Sequence, residues 1–267
     1  MKKLLTATLL SLTLLAPAAQ AFISVAPAIV EMQARTGKKY KGTLKVTNTK
    51  DHDVTVIIEV QEWWKAQTGL EGSQPGLWLT IPKKPFALKP GESRDVRYKV
   101  KIPKGVSGEA AAMVFFSIND RSGPSAPMNI QMRHGIPIYV FIKDTQKIEA
   151  SLKPLSAFFV QQSSNTALQF TIPIANTGNV HIRPQGTISI TASPDNEAVS
   201  GDLEWGWPVY PGREHSFYAT IRKEQWLPGT YSADLQVQDG GVISNDLSLK
   251  KTIVFRVTEE NNVEIIE

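Results

Sequence analysis

Four histidines, His52, His134, His181 and His215, are the side chains of this chain best suited to proton transfer or metal binding. None stands at the H-x-x-x-H or H-E-x-x-H spacing that sets two imidazoles on one helix face. Cysteine is absent, which removes thiolate nucleophiles, thiolate metal ligands and disulfides together. There is no G-x-S-x-G elbow, P-loop or paired-glycine nucleotide fingerprint. The carboxylate pairs Asp51/Asp53 and Glu259/Glu260 fall in a turn and a tail, where solvated charge is the ordinary role. The residues support neither an enzyme nor a cofactor or metal, and a hydrolase would need a triad that they do not supply.

The chemistry that does stand out is recognition through a backbone. Residues 128–142 read MNIQMRHGIPIYVFI, apolar at every even position except His134. An ordinary strand is about five or six residues, whereas fifteen would span about 50 Å. Ile136 to Ile142 is apolar on both faces and is expected in the first domain's core; Met128 to Met132 is apolar on one face only. Pro137 has no N–H, which suits a sheet edge or a bulge. Native edges are normally protected by lysine, proline or short length, yet Met128–Met132 carries neither residue. Two readings stand. The first half is covered by the chain's own neighbours, or Met128, Ile130 and Met132 are apolar knobs on an edge kept for a partner strand. Two methionines among the knobs suit a surface that accepts more than one partner. His134, on the apolar face, is expected to be partly buried and hydrogen-bonded.

The elements around this strand follow from composition. MKKLLTATLLSLTLLAPAAQA has two lysines, an apolar run from Leu4 to Leu15 and an Ala-Gln-Ala cleavage site, the pattern of an export signal. The mature chain is expected to begin at Phe22, with no membrane span after signal removal. Residues 22–143 hold 18 basic and 10 acidic residues; residues 144–267 hold 9 and 15. That asymmetry suggests a basic first domain that attracts an acidic partner or docks on its own acidic neighbour. No motif supports nucleic acid.

After the signal the chain is rich in Val, Ile, Thr, Gly and Pro with no sustained helical period, which predicts an all-β fold. A weak repeat divides it. GTLKVTNTKDHDVTV (42–56) matches FTIPIANTGNVHI (170–182), and LKPGESRDVRYKV (88–100) matches VYPGREHSFYATI (209–221). Pro-Gly fits the centre of a type II turn. Two copies in one order predict two sandwiches, residues 22–143 and 144–267, after a signal at 1–21. The six tryptophans are assigned to cores and hairpin faces, with a carbohydrate-stacking role for Trp63/Trp64 or Trp205/Trp207 as the alternative.

Those elements, in that order, resemble the periplasmic pilus (fimbrial) chaperones, the PapD-like family of two consecutive immunoglobulin-like β-sandwich domains. The resemblance runs through an N-terminal strand with Pro27, TLKVTNT, the set Pro82, Leu88, Pro90, Gly91, Val96 and Arg97, the strand AAMVFFSIND, and the long alternating strand. It implies a periplasmic chaperone without ATP or cofactor. Such a protein stabilises pilin-like subunits by donor-strand complementation and hands them to an outer-membrane usher. By position, Met128, Ile130 and Met132 become the donated residues. The loop 120–127 is short, as in one branch of the family. The family's basic anchors for the subunit carboxylate are missing. FISVAPAIVEM has no basic residue before Arg35, Pro137 stands at the lysine position, and Gly108-Glu109-Ala110 replaces Arg-Glu-Ser/Thr. Arg133 and His134 are the nearest candidates for the anchor, and the chain resembles a divergent member. The competing expectation is a non-chaperone envelope protein, adhesive or glycan-binding, using the tryptophan-rich stretches with its long strand covered.

Overall fold

Period-two alternation with β-branched residues on one face forces strands to bury that face in pairs of sheets. The structure, a computed structural model, describes residues 23–63, 75–120, 130–162, 165–241 and 247–266. The signal segment, Trp64 and Met128 lie outside the described residues.

The first half contains β1 (Ile23–Ala26), β2 (Val30–Ala34), β3 (Tyr40–Asn48), β4 (Val54–Glu62), β5 (Leu79–Thr80), β6 (Phe86–Leu88), β7 (Ser93–Val100), β8 (Glu109–Asp120) and β9 (Ile130–Ile142). One sheet runs β1-β3-β7-β5 and the other β2-β9-β8-β4-β6. The chain leaves the first sheet after β1, passes the cis Ala26–Pro27 peptide, and joins the second as β2, parallel to β9. Leu44, Val46, Val96 and Val100 face Val56, Phe116, Ile118 and Ile138 across the first core.

The second half contains β10 (Ala150–Leu152), β11 (Ser156–Gln162), β12 (Asn165–Asn176), β13 (Pro184–Ala192), β14 (Ser200–Asp202), β15 (Glu214–Arg222), β16 (Gly229–Asp239), β17 (Ser248–Val257) and β18 (Val263–Ile265). Strand β12 pairs with β15 on one side and with β10 and β11 on the other; the facing sheet runs β14-β13-β16-β17-β18. Phe170, Ile172 and Phe217 meet Leu235, Ile253 and Phe255 in a separate core. The fold is all-β, two consecutive immunoglobulin-like sandwiches.

The repeat seen in the sequence has a physical basis. Buried Asn48 donates from Nδ2 to the carbonyls of His52 and Leu88 and accepts from the Lys50 N–H. Buried Asn176 does the same to Val180, Val209 and Gly178. Each asparagine also exchanges backbone bonds with the Pro-Gly turn that follows Leu88 or Val209: Asn48 with Glu92 and Gly91, Asn176 with Arg213 and Gly212. The turns close through Glu92 N–H to Lys89 and Arg213 N–H to Tyr210. Gly91 and Gly212 hold φ of 72° and 69°, the left-handed position that glycine fills in a type II turn. Asn-Thr and Pro-Gly therefore co-occur because one clamps the other, and that clamp fixes where β4 and β7, or β13 and β15, begin.

Candidate partner-binding edge

Strand β9 takes its direction from β8. The pairing is unbroken from Glu109↔Phe141 to Asp120↔Ile130, and the Ile142 N–H donates to Gly108 O at 2.8 Å. In an antiparallel ladder the bonded pairs alternate, so even-numbered residues of β9 exchange bonds with β8 and odd-numbered N–H and C=O groups turn to the opposite edge. There β2 pairs only with Ile138–Ile142. Along Ile130–Pro137 that edge has no strand partner among the described residues. The N–H donors and C=O acceptors of residues 131, 133 and 135 face that edge without a strand partner among the described residues. Pro137 sits where its missing N–H costs no bond to β8.

Side chains follow the same parity. Ile136, Ile138, Val140 and Ile142 fill the first core. Met132, on the same face, has run past that core and is 40% exposed. Ile130 is the first residue of β9, in register with Asp120. His134 is half-buried; the hydrogen bond expected for it is not formed among the described residues. Arg133 lies on the outer face, its Nη2 2.7 Å from Glu59 Oε2 and its guanidinium 4.1 Å from the Phe115 ring centroid. One carboxylate does not exhaust its five N–H donors.

The apolar odd face of the strand's second half has a different destination from the one its composition suggests. Tyr139 and Phe141 are buried outside the first core, against Val180 and half-buried Tyr210 of the second sandwich. Trp63 Nε1 donates to the hydroxyls of Tyr139 (3.1 Å) and Tyr210 (2.8 Å). Beside them lies an ion cluster that spans the two sandwiches. Buried His181 sets Nδ1 2.9 Å from the Glu109 carboxylate, which also accepts the His181 backbone N–H at 2.7 Å. His181 Nε2 is 3.5 Å from Glu31 Oε1, and Arg183 Nη2 donates to the same oxygen at 3.0 Å. Burial works against the imidazolium, yet the Glu109 charge and the hydrogen bonds to Glu109 and Glu31 outweigh it and raise the His181 pKa. The hydrogen bond from His181, aided by Arg183, holds the Glu31 carboxyl below its usual range against the opposing effect of burial. The Tyr139 hydroxyl is pushed well up, by burial first and then by Tyr210.

This cluster corrects the charge argument. The basic half supplies the carboxylates, Glu31 and Glu109, and the acidic half supplies the cations, His181 and Arg183. Net charge does not say which residues meet. None of the four was singled out for this role in the sequence, because they lie on separate strands and loops and share no local motif. The tryptophans divide as well. Trp78 and Trp226 are core residues and Trp63 joins the sandwiches, but Trp205 and Trp207 are 72% and 63% exposed. Among the described residues no group of three His, Cys, Asp or Glu side chains could hold a metal, and no helix is long and apolar enough to cross a membrane.

No protein-family model matches the chain, and no curated protein matches it. Among solved structures it is similar to the class 5 fimbriae chaperone CfaA, at 14% identity over 86% of this chain and 98% of that one, with a TM-score of 0.49. It is similar to the YadV chaperone at 7% identity over 88% and 100%, TM-score 0.44. It is also similar to the structure of the Salmonella enterica SafA pilin in complex with the SafB chaperone, at 12% identity over 88% and 98%, TM-score 0.44. Each of these three structures contains a chaperone, one of fimbriae and one in complex with a pilin.

Proposed function

We propose that this chain is a periplasmic chaperone that lends β9 to pilin-like subunits by donor-strand complementation, without catalysis, cofactor or metal. The observation that carries the reading is the edge of β9 between Ile130 and Pro137, left without a strand partner among the described residues on a strand whose other edge is paired with β8 throughout. An unpaired run of alternating apolar residues recruits another chain, and here its second half is anchored in two interfaces, so the lent half is held extended. Met128, Ile130 and Met132 enter the subunit's unfinished core, while the backbone of residues 131, 133 and 135 supplies its ladder. Residues 1–21 direct export, residues 22–143 and 144–267 act as two domains, and an outer-membrane usher receives the subunit. Arg133, with donors to spare, takes the subunit's terminal carboxylate, with His134 as the other candidate. Equal subunit affinity for wild type and Arg133→Ala would remove Arg133 from that role.

The test is co-expression in a periplasm with the pilin-like subunits of the source organism, followed by affinity purification. A one-to-one complex that keeps the subunit soluble, lost in Ile130→Asp, is expected. A subunit held soluble by the variant as well as by wild type would refute donation through β9. The adhesive alternative requires a covered long strand, and the bare edge weighs against it.

A further inference from the structure

Trp205 and Trp207 are the two most exposed large apolar side chains among the described residues. An indole left in water forfeits a large burial energy, and folding of the second sandwich does not recover it. The segment that carries them is nevertheless tied down at every side. The Glu204 N–H donates to Tyr218 O at 2.9 Å, and Val209 and Ile182 exchange bonds of 2.8 and 3.1 Å. Gly206 between the indoles holds φ of 110°, a conformation that residues with a Cβ rarely adopt, and a Cβ there would meet nothing within 4 Å. Glycine is thus required by the turn and not by crowding. Arg183 Nη1 donates to the Gly206 carbonyl at 3.0 Å while its Nη2 holds Glu31. A turn so firmly held, and presenting two indoles outward, is a surface and not a loose loop.

Its position gives the occupant. Glu31 pairs with Tyr139 in β2, and β2 is the strand whose start leaves the edge of β9 bare. The indole turn is therefore one arginine side chain from the end of the open lane. Ile29, immediately before that end, is itself 46% exposed. Exposed apolar side chains thus stand on the lane at Met132, at its end at Ile29, and on the turn of the second sandwich. We infer that Trp205 and Trp207 form a second docking surface for the polypeptide that pairs with β9, gripping an apolar patch beside its paired strand. The inference rests on the proposed donor-strand reading and names a second contact of the same partner.

The probe is the pilin-like subunit that co-purifies with the wild-type chain, titrated into wild type, Trp205→Ala/Trp207→Ala and Ile130→Asp, with a thermal melt of each. Buried tryptophans are typical interface hot spots, so the double variant is expected to bind about ten- to a hundredfold more weakly at an unchanged melting temperature. A loss of less than about twofold, with Ile130→Asp abolishing binding, overturns the docking surface and leaves the donor strand standing. If neither variant changes binding, both readings fall. If the free wild-type chain sediments as a dimer that the double variant dissolves, the occupant is a second copy and the inference is wrong. A blue shift of indole emission with soluble peptidoglycan fragments but not with subunit would likewise overturn it in favour of a glycan site.

Discussion

Met132 and Ile136 lie four residues apart on one face of β9, about 13 Å along the strand, and an aspartate at each should do opposite things. Ile136 is fully buried in the first core. Replacing it forfeits about 1.5–3 kcal/mol of apolar burial and strands a carboxylate with no partner, at a further cost of several kcal/mol. That sum consumes most of the 5–15 kcal/mol by which a domain is usually stable, so Ile136→Asp should be unfolded or strongly destabilised. Met132 is 40% exposed, so Met132→Asp keeps its charge in water and should cost the free chain no more than about 1 kcal/mol. In the proposed complex the same position would enter an apolar groove of the subunit. An unpaired carboxylate there costs at least about 3 kcal/mol, more than a hundredfold in affinity. Melting curves of both variants and titration of Met132→Asp with subunit read the two effects separately. A folded Met132→Asp that binds subunit as tightly as wild type would refute the argument that this face continues from the core into a partner.

Backbone parity makes a sharper prediction. Gln131→Pro deletes an N–H that faces the bare edge and should weaken subunit binding by about 1–3 kcal/mol with the β8 ladder intact, whereas Met132→Pro deletes a β8 bond and should lower the melting temperature instead. His181 has its pKa raised in the folded chain above the ordinary 6.5. Its contribution is therefore complete below about pH 6.5 and lost as pH climbs through the higher folded value. Glu31, with its pKa lowered from 4.5, contributes above that pH and fades as acid approaches its lower folded value. Denaturant titrations should then show stability falling between neutral and alkaline pH by at most about 1.4 kcal/mol per unit, with the slope absent in His181→Gln. Asn176→Ala leaves the Val180 and Val209 carbonyls without their donor and should cost about 2–4 kcal/mol in chemical denaturation, with Asn48→Ala costing a similar amount.

The legible features were those in which physics acts locally along the chain. The Asn-Thr and Pro-Gly pairs could be read because each asparagine bonds into its own turn, and the length and parity of residues 128–142 because a strand's two faces alternate. What pairs with β9's other edge was not legible, since β2 lies more than a hundred residues away. The ion cluster was hidden for the same reason, being drawn from Glu31, Glu109, His181 and Arg183. The one available hint was the apolar odd face of Tyr139 and Phe141, more than a single sandwich needs, and it was attributed to the first core alone. Trp205 and Trp207 were misassigned because an indole carries no mark of burial. Only the surrounding fold shows that their turn points outward.

Because β2 runs in the same lane as the bare stretch and stops it at Ile138, that lane is a gauge with a fixed stop. It measures about eight residues, or some 26 Å, from Ile130 to Pro137. In the proposed complex a guest segment could run no further along it than Ile29 and the start of β2. Registration by collision needs no charged latch on the first strand, where this chain carries no basic residue before Arg35. Lengthening β2 toward its N-terminus should therefore shift every guest by the same number of residues.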